Sequence, residues 1–249
     1  MKKAFFPFLI VSIVLCSCAT RIAGLKQSES FVYSNVLSGK VGVGGVTSVM
    51  ENLEDGRKSA LANLLRTELL EERKEYNVVP SGTLAAKIGK AKYGQVMESY
   101  KAEGVLTDES LALLKPAATV SRYVAFARIE NDNVSNGRSE IPDRNEKGEA
   151  IPNSGRISTS TKRTMTASLN IYDLQNGDVA WSGSVTKSAT NTQEYDRQHE
   201  MQLVSVIKAF KGEARESDAE KYPYPSAPEA NKVLAKIFAG FAENMPKKP

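Results

Sequence analysis

The alternation of apolar and polar positions is cleanest between Thr164 and Lys187. Met165, Ala167, Leu169 and Ile171 alternate with Thr166, Ser168, Asn170 and Tyr172, the two-residue period of a strand with one buried face. Val179, Trp181, Gly183 and Val185 repeat that period. Between the two runs, Asn176-Gly177 tolerates the positive φ angles of a tight reversal, so the stretch predicts an antiparallel hairpin. A lone hairpin is marginal in water, and its apolar face calls for further strands and helices to cover it.

The preceding chain supplies candidates for that cover. Residues 36–46, VLSGKVGVGGV, predict a strand with Val41, Val43 and Gly45 on one face, opening into a loop. Asn52 or Asp55 is placed to cap a helix to about Arg73, with Leu61, Leu64, Leu65 and Leu69 on one side. Tyr76 to Val79 reads as a short strand ended by Pro80-Ser81-Gly82, and Leu84 to Ile88 as a short helix. Residues 94–102 and 107–114 read as helices, the second capped by Thr107 or Asp108 and stopped by Pro116. Residues 120–129 are apolar on both parities in their centre, as in a strand covered on two faces, and this strand belongs inside the sheet beside the hairpin.

Residues 130–163 change character. Asn, Asp, Ser, Gly and Pro dominate, which predicts a long, disordered insertion between strands. Residues 188–200 are polar, and Met201 to Phe210 is apolar and compatible with strand or helix. Ser226 and Glu229 stand in capping-box spacing before a last helix lined by Val233, Leu234, Ile237, Phe238, Phe241 and Met245. The whole predicts a single α/β domain, three-layer-like, with a mixed sheet, a C-terminal antiparallel hairpin and packed helices.

The first residues add an address. Lys2 and Lys3 precede an uncharged apolar run from Phe5 to Leu15, shorter than the roughly 20 residues of a membrane-spanning helix and typical of a secretory signal peptide. Leu15-Cys16-Ser17-Cys18 resembles the bacterial lipobox. Small residues before the cysteine let an extended chain enter a peptidase cleft, and a cysteine thiol can form a thioether to diacylglycerol. The resemblance implies lipidation of Cys18, with acyl chains such as palmitate, and cleavage before it; an ordinary cut after Ala19 is the alternative. Several acyl chains hold a protein on a membrane durably, at ~0.8 kcal/mol per buried CH₂. Ala19 stands where many inner-membrane lipoproteins carry a retention Asp, which favours the outer membrane of a two-membrane bacterium. The expected organisation is a signal peptide over 1–17, a lipidated N-terminus and short tether over 18–34, and the α/β domain over 35–249.

Composition narrows the chemistry. The formal charge of +4 includes Lys2 and Lys3, so the mature chain carries 4 − 2 = +2. No segment combines a basic stripe with aromatics, which argues against a nucleic-acid partner. Cys16 leaves with the signal peptide and Cys18 becomes the anchor, so neither remains for a disulfide, a zinc site or a thiol nucleophile.

Gly42, Gly44 and Gly39-Lys40 lack the rest of a phosphate-binding loop, and close backbone packing accounts for the glycines. His199 is the sole histidine, and Leu203 stands where a zinc-peptidase helix needs a second one. Trp181-Ser182-Gly183-Ser184 is not a nucleophile elbow. Glu71-Glu72 reads as a solvent-facing helix end, while Asp132, Asp143 and Asp173 stay open as distant acids for glycosidic cleavage. The expectation is a protein without catalysis or cofactor.

Tyr123-Val124-Ala125-Phe126-Ala127-Arg128-Ile129, and Leu169-x-Ile171-Tyr172-Asp173-Leu174-x-x-Gly177-Asp178-Val179-x-Trp181-Ser182 behind a lipobox, resemble the CsgG/LpoB-like periplasmic domain family. The resemblance implies a periplasmic domain, anchored to the outer membrane, that binds or assembles envelope components. Within that family, peptidoglycan-synthase activator lipoproteins bind a partner enzyme through a globular domain. The alternative is a subunit of an oligomeric secretion channel of the CsgG type. Such a channel needs hairpins of about ten residues with alternating outward apolar side chains, which 130–163 and 188–200 lack. The partners implied are a membrane through lipid on Cys18, an envelope protein, and further copies of the chain.

Overall fold

Valine-rich Val41–Ser48 forms a strand of a six-stranded mixed sheet in the computed structural model, which describes residues 20–151, 154–196 and 221–249. In chain order the strands are β1 (Ala23–Gln27), β2 (Val41–Ser48), β3 (Val78–Val79), β4 (Tyr123–Ile141), β5 (Arg156–Asp173) and β6 (Asp178–Asp196). The sheet order is β1-β6-β5-β4-β2-β3, with β2 parallel to β3 and β4 and all other pairs antiparallel. The helices are α1 (Tyr33–Gly39), α2 (Asp55–Glu72), α3 (Ser81–Ile88), α4 (Lys90–Glu103), α5 (Asp108–Leu114) and α6 (Ala230–Glu243).

Two apolar layers lie on opposite faces of the sheet. On one face, Leu61, Leu65 and Leu69 of α2 and Val233, Ile237, Phe238 and Phe241 of α6 cover Val41, Val43, Ala125, Leu169, Ile171 and Trp181. On the other, Leu84, Val96, Met97, Tyr100 and Leu114 of α3, α4 and α5 cover Val124, Phe126 and Tyr172. Strand β4 therefore sends Tyr123, Ala125 and Ala127 one way and Val124 and Phe126 the other, the reason both of its parities are apolar. This is the expected three-layer α/β domain, with β4 beside the hairpin.

The β2 glycines serve packing. A Cβ on Gly44 would lie 2.4 Å from the ring of the fully buried Phe126, and one on Gly45, at φ +151, 2.6 Å from Met97. The register against β4 shifts between Val43 and Gly45, and this bulge keeps Val46 on the same face as Val41 and Val43. Gly44→Ala is expected to cost about 1–3 kcal/mol of stability through overpacking, read as a lower urea midpoint by circular dichroism.

Several boundaries differ from expectation. Residues 36–39 belong to α1, so the strand starts at Val41. The Pro116 stop is a 3-10 turn, Lys115–Thr119, and Thr107 is the α5 cap, its hydroxyl accepting from the Ser110 N–H at 3.2 Å. Glu229 precedes α6 without a side-chain cap bond, so the capping box at Ser226 and Glu229 is not formed. Val179 is exposed while Ala180 is buried, because the register shifts by one residue between Ile171↔Trp181 and Tyr172↔Val179.

Two differences are larger. The stretch expected to be a tether, 18–34, holds β1, the fully buried Phe31 and the start of α1. The loop expected over 130–163 is for the most part strand: 130–141 extends β4 and 156–163 opens β5, paired from Ile141↔Arg156 onward. Asn, Ser, Asp and Glu dominate 130–141, and Ser and Thr 156–163, so a search for apolar alternation passes over these strands. Cys16, Cys18, His199 and Met201 to Phe210 lie outside the described residues.

Candidate functional site

The N-terminal end of the described chain is fixed to the domain. Thr20 is buried; its N–H donates to Glu243 Oε2 at 3.4 Å, its carbonyl accepts from Asn244 Nδ2 at 3.3 Å, and its hydroxyl accepts from Lys187 Nζ at 2.9 Å. Gly240 of α6 lies against the Thr20 methyl group, where a Cβ would come within 2.5 Å. Cys18 is two residues away, a reach of about 7 Å. Arg73 donates to the Glu243 carbonyl at 2.6 Å and Tyr76 to the Pro246 carbonyl, tying the chain's end to α2. Burial raises the Tyr76 pKa well above the usual tyrosine range, against the Arg73 charge that lowers it. Arg21, Lys247 and Lys248 are exposed around this end.

Strands β4, β5 and β6 continue as a three-stranded ribbon beyond Ile129, where β2 stops pairing. From Glu130 to Ile141 it runs about 40 Å at the rise of an antiparallel strand. One face carries Asn133, Thr164 and Ser188 in register, then Ser135, Lys162 and Thr190. The other is crossed by a proline-rich strap leading to α6. Thr159 and Thr161 donate to the carbonyls of Pro223 and Pro225 at 3.1 and 2.6 Å, Arg163 to that of Pro228 at 2.6 Å, and Tyr195 to that of Pro223 at 2.7 Å. The first face is polar up to Ile141 at its tip, and the strap face adds Val134 and the buried Ile157 to its polar residues.

The candidate acids are separated rather than assembled. Arg122 grips the fully buried Asp173, its Nε at 3.0 Å and its terminal nitrogen at 2.6 Å, and the N–H groups of Gln175 and Asn176 bond the same carboxylate at 2.9 and 3.4 Å. Burial alone would raise the Asp173 pKa; the Arg122 bond and the two backbone donors outweigh it and hold the carboxyl below its ordinary value. Asp132 pairs with Arg163 at 3.0 Å and stands opposite Met165. Eight residues of β5 separate Met165 from Asp173, about 27 Å of strand, and Asp143 lies beyond the far end of the ribbon. Paired acids for glycosidic cleavage stand about 5–9.5 Å apart.

Ser182 and Ser184 sit in β6 between β5 and β1, the second donating to the Ala167 carbonyl at 3.2 Å. Glu71 and Glu72 are exposed at the end of α2. Among the described residues, no group of three or more His, Cys, Asp or Glu is placed to hold a metal, and no helix is long and apolar enough to cross a membrane.

One concavity was not foreseen. Strand β3 pairs only with Val41 and Gly42, so the β2 edge beyond them has no strand neighbour on that side. Helix α2 and the pair α3 and α4 straddle this edge and leave a groove of about 620 Å³, floored by Gly45 and Val46 and walled by Ser59, Ala62, Ala85 and Ala86. Its volume is that of a small-ligand pocket. The sequence signal was the run of small residues at 81–89 and 59–62, legible only once β3 was known to be two residues long.

No protein-family model matches the chain, and no curated protein sequence matches it. Solved structures similar to it include a PelC dodecamer from Paraburkholderia phytofirmans, at 11% identity and TM-score 0.38, covering 92% of this chain and 99% of that one. The LpoB C-terminal domain from Salmonella enterica aligns at 12% identity and TM-score 0.33, covering 64% and 96%. Lipoprotein GNA1162 from Neisseria meningitidis aligns at 15% identity and TM-score 0.27, covering 70% and 97%. At these identities and scores the likeness is too slight to carry a statement about function.

Proposed function

We propose that this protein is an envelope lipoprotein, anchored by lipid on Cys18 in the outer membrane, that binds or assembles envelope components from the periplasmic side without catalysis. The observation that carries the reading is the fixation of Thr20. Three hydrogen bonds hold it to α6, Asn244 and β6, so the lipobox cysteine two residues earlier anchors the folded domain itself rather than a flexible leash. A domain held this way works on partners that come to the membrane surface. The resemblance noted in the sequence adds a class of partner, an envelope enzyme such as a peptidoglycan synthase.

The length of the ribbon favours a second reading as a channel subunit, because about 9–11 residues per strand suffice to cross a membrane. Its side chains oppose it, since a membrane-facing side needs an apolar band and Asn133, Ser135, Thr164 and Thr190 offer none.

Fractionation of the full-length protein beside Cys18→Ser tests the anchor. The wild type is expected in the detergent phase with acyl mass on Cys18, and the variant in the aqueous phase. If both are aqueous and begin after Ala19, the anchored reading fails. Conductance in planar bilayers would favour the channel.

A further inference from the structure

We propose that the flank of α6 beside Thr20 is a basic surface that binds the headgroups of anionic phospholipids directly. This deepens the anchored reading by adding a contact between the folded domain and the lipid surface, and it rests on that reading only for the presence of a membrane beside the domain.

Position comes first. Helix α6 packs on β5 and β6, and α2 packs on β2, so the two helices lie side by side on one face of the sheet. Thr20 bonds Lys187 of β6 and stands against Gly240, on the flank of α6 turned away from α2. Residues four and eight positions before Gly240 share its side of the helix. These are Lys236 and Lys232, both exposed. Arg21 follows Thr20 and is exposed, and the exposed Lys247 and Lys248 follow Asn244, whose side chain bonds the Thr20 carbonyl. Six basic side chains therefore gather around Thr20, two residues from Cys18.

Charge selects the partner. The acids on the same flank are Glu229, which pairs with Lys232 at 3.0 Å, and Glu243, which accepts from the Thr20 N–H. The balance is 6 − 2 = +4 against +2 for the whole mature chain, so the rest of the molecule is net acidic. Glu68, Glu71 and Glu72 belong to α2, across the about 8–10 Å that separates packed helices, roughly one Debye length at physiological salt. Glu75 follows α2 with Lys74 beside it. Among the described residues, Arg21, Lys236, Lys247 and Lys248 form no ion pair. Lys232 to Gly240 alone extends about 12 Å along the helix, so these groups face an array of phosphates rather than converge on one small anion. Each lysine or arginine held near an anionic leaflet strengthens binding about fivefold, and an anchor two residues from Thr20 keeps this flank at the headgroups.

The test uses the mature chain with Cys18→Ser, which carries no acyl group, and sedimentation with vesicles of phosphatidylcholine alone or mixed with phosphatidylglycerol. Binding is expected to the mixed vesicles only, and it is expected to fall steeply as salt is added. Joint Lys236→Gln and Lys247→Gln should weaken it about tenfold or more. Joint Lys90→Gln and Lys92→Gln removes the same charge from α4, on the opposite face of the sheet, and should leave it unchanged. All four lysines are exposed, so both variants keep the fold, checked by circular dichroism.

No binding to the mixed vesicles at low salt, or equal weakening by the two pairs of substitutions, would overturn the assignment. Displacement by inorganic phosphate at constant ionic strength would overturn it in favour of a site for a single free anion. None of these outcomes depends on acylation, so the anchor stands or falls separately.

Discussion

Replacing Arg122 by alanine is expected to lower the unfolding free energy at neutral pH by about 3 kcal/mol, the scale of a buried ion pair broken from one side. Asp173 is fully buried while the Arg122 side chain is 20% exposed, so the variant leaves the carboxylate without its cation and water replaces that partner poorly. The pair also organises the hairpin. Asp173 accepts the N–H groups of Gln175 and Asn176 through its side chain and of Gly177 through its carbonyl, while Leu174 donates to the Arg122 carbonyl.

The pH dependence follows from the sign of the shift. The folded pKa of Asp173 is depressed, so its contribution is complete above the unfolded value of about 4 and is lost as pH falls through the folded value. In Arg122→Ala the bond and charge that hold the carboxyl down are gone, so it protonates at a higher pH than in wild type and the deficit is expected to shrink as pH falls toward 3.5. Urea titrations at pH 7 and pH 3.5 measure both. A deficit independent of pH would show that the guanidinium acts by packing alone.

Trp181→Ala is expected to cost about 3–5 kcal/mol. The indole is fully buried, pairs across β6 with Ile171 and Gln27, and meets Phe241 of α6 edge-on at a centroid distance of 6.1 Å. Its removal opens a void between sheet and helix that rigid strands on both sides cannot close. Trp181→Phe should cost about 1.5 kcal/mol or less, because it keeps the ring contact and removes an indole N–H that is buried with no partner. The chain has a single tryptophan, so circular dichroism rather than intrinsic fluorescence follows the unfolding. Equal losses in the two variants would mean that volume is not what matters at this position.

Elements that bury apolar side chains were legible in the sequence. The leucine spacing of α2, the double apolar parity of β4 and the stripe on α6 each correspond to a buried surface. Polar strands were not. Ile157, Thr159 and Thr161 are buried, the two threonine hydroxyls donating to carbonyls of the strap 222–228, and a two-residue period written in threonine carries little hydropathy contrast. Strand β1 was missed for a related reason: all five of its residues are exposed at the sheet edge, so pairing rather than burial defines it. The groove depends on where β3 stops, a boundary set by Pro80 and by two long-range pairs. The role proposed for Cys18 was read from the lipobox; the position of Thr20 adds how little chain stands between that cysteine and the fold.

That short connection is tested most directly by single-cysteine labelling of the acylated protein in vesicles containing a headgroup-attached quencher. One dye is placed at Lys247→Cys, three residues after Asn244, which holds Thr20. The other is placed at Gln175→Cys, in the β5–β6 turn about 30 Å along the sheet from Lys187. Strong quenching is expected at 247 and little at 175. Equal quenching at both positions would contradict the short connection, because a domain swinging on a free leash presents both ends to the membrane alike.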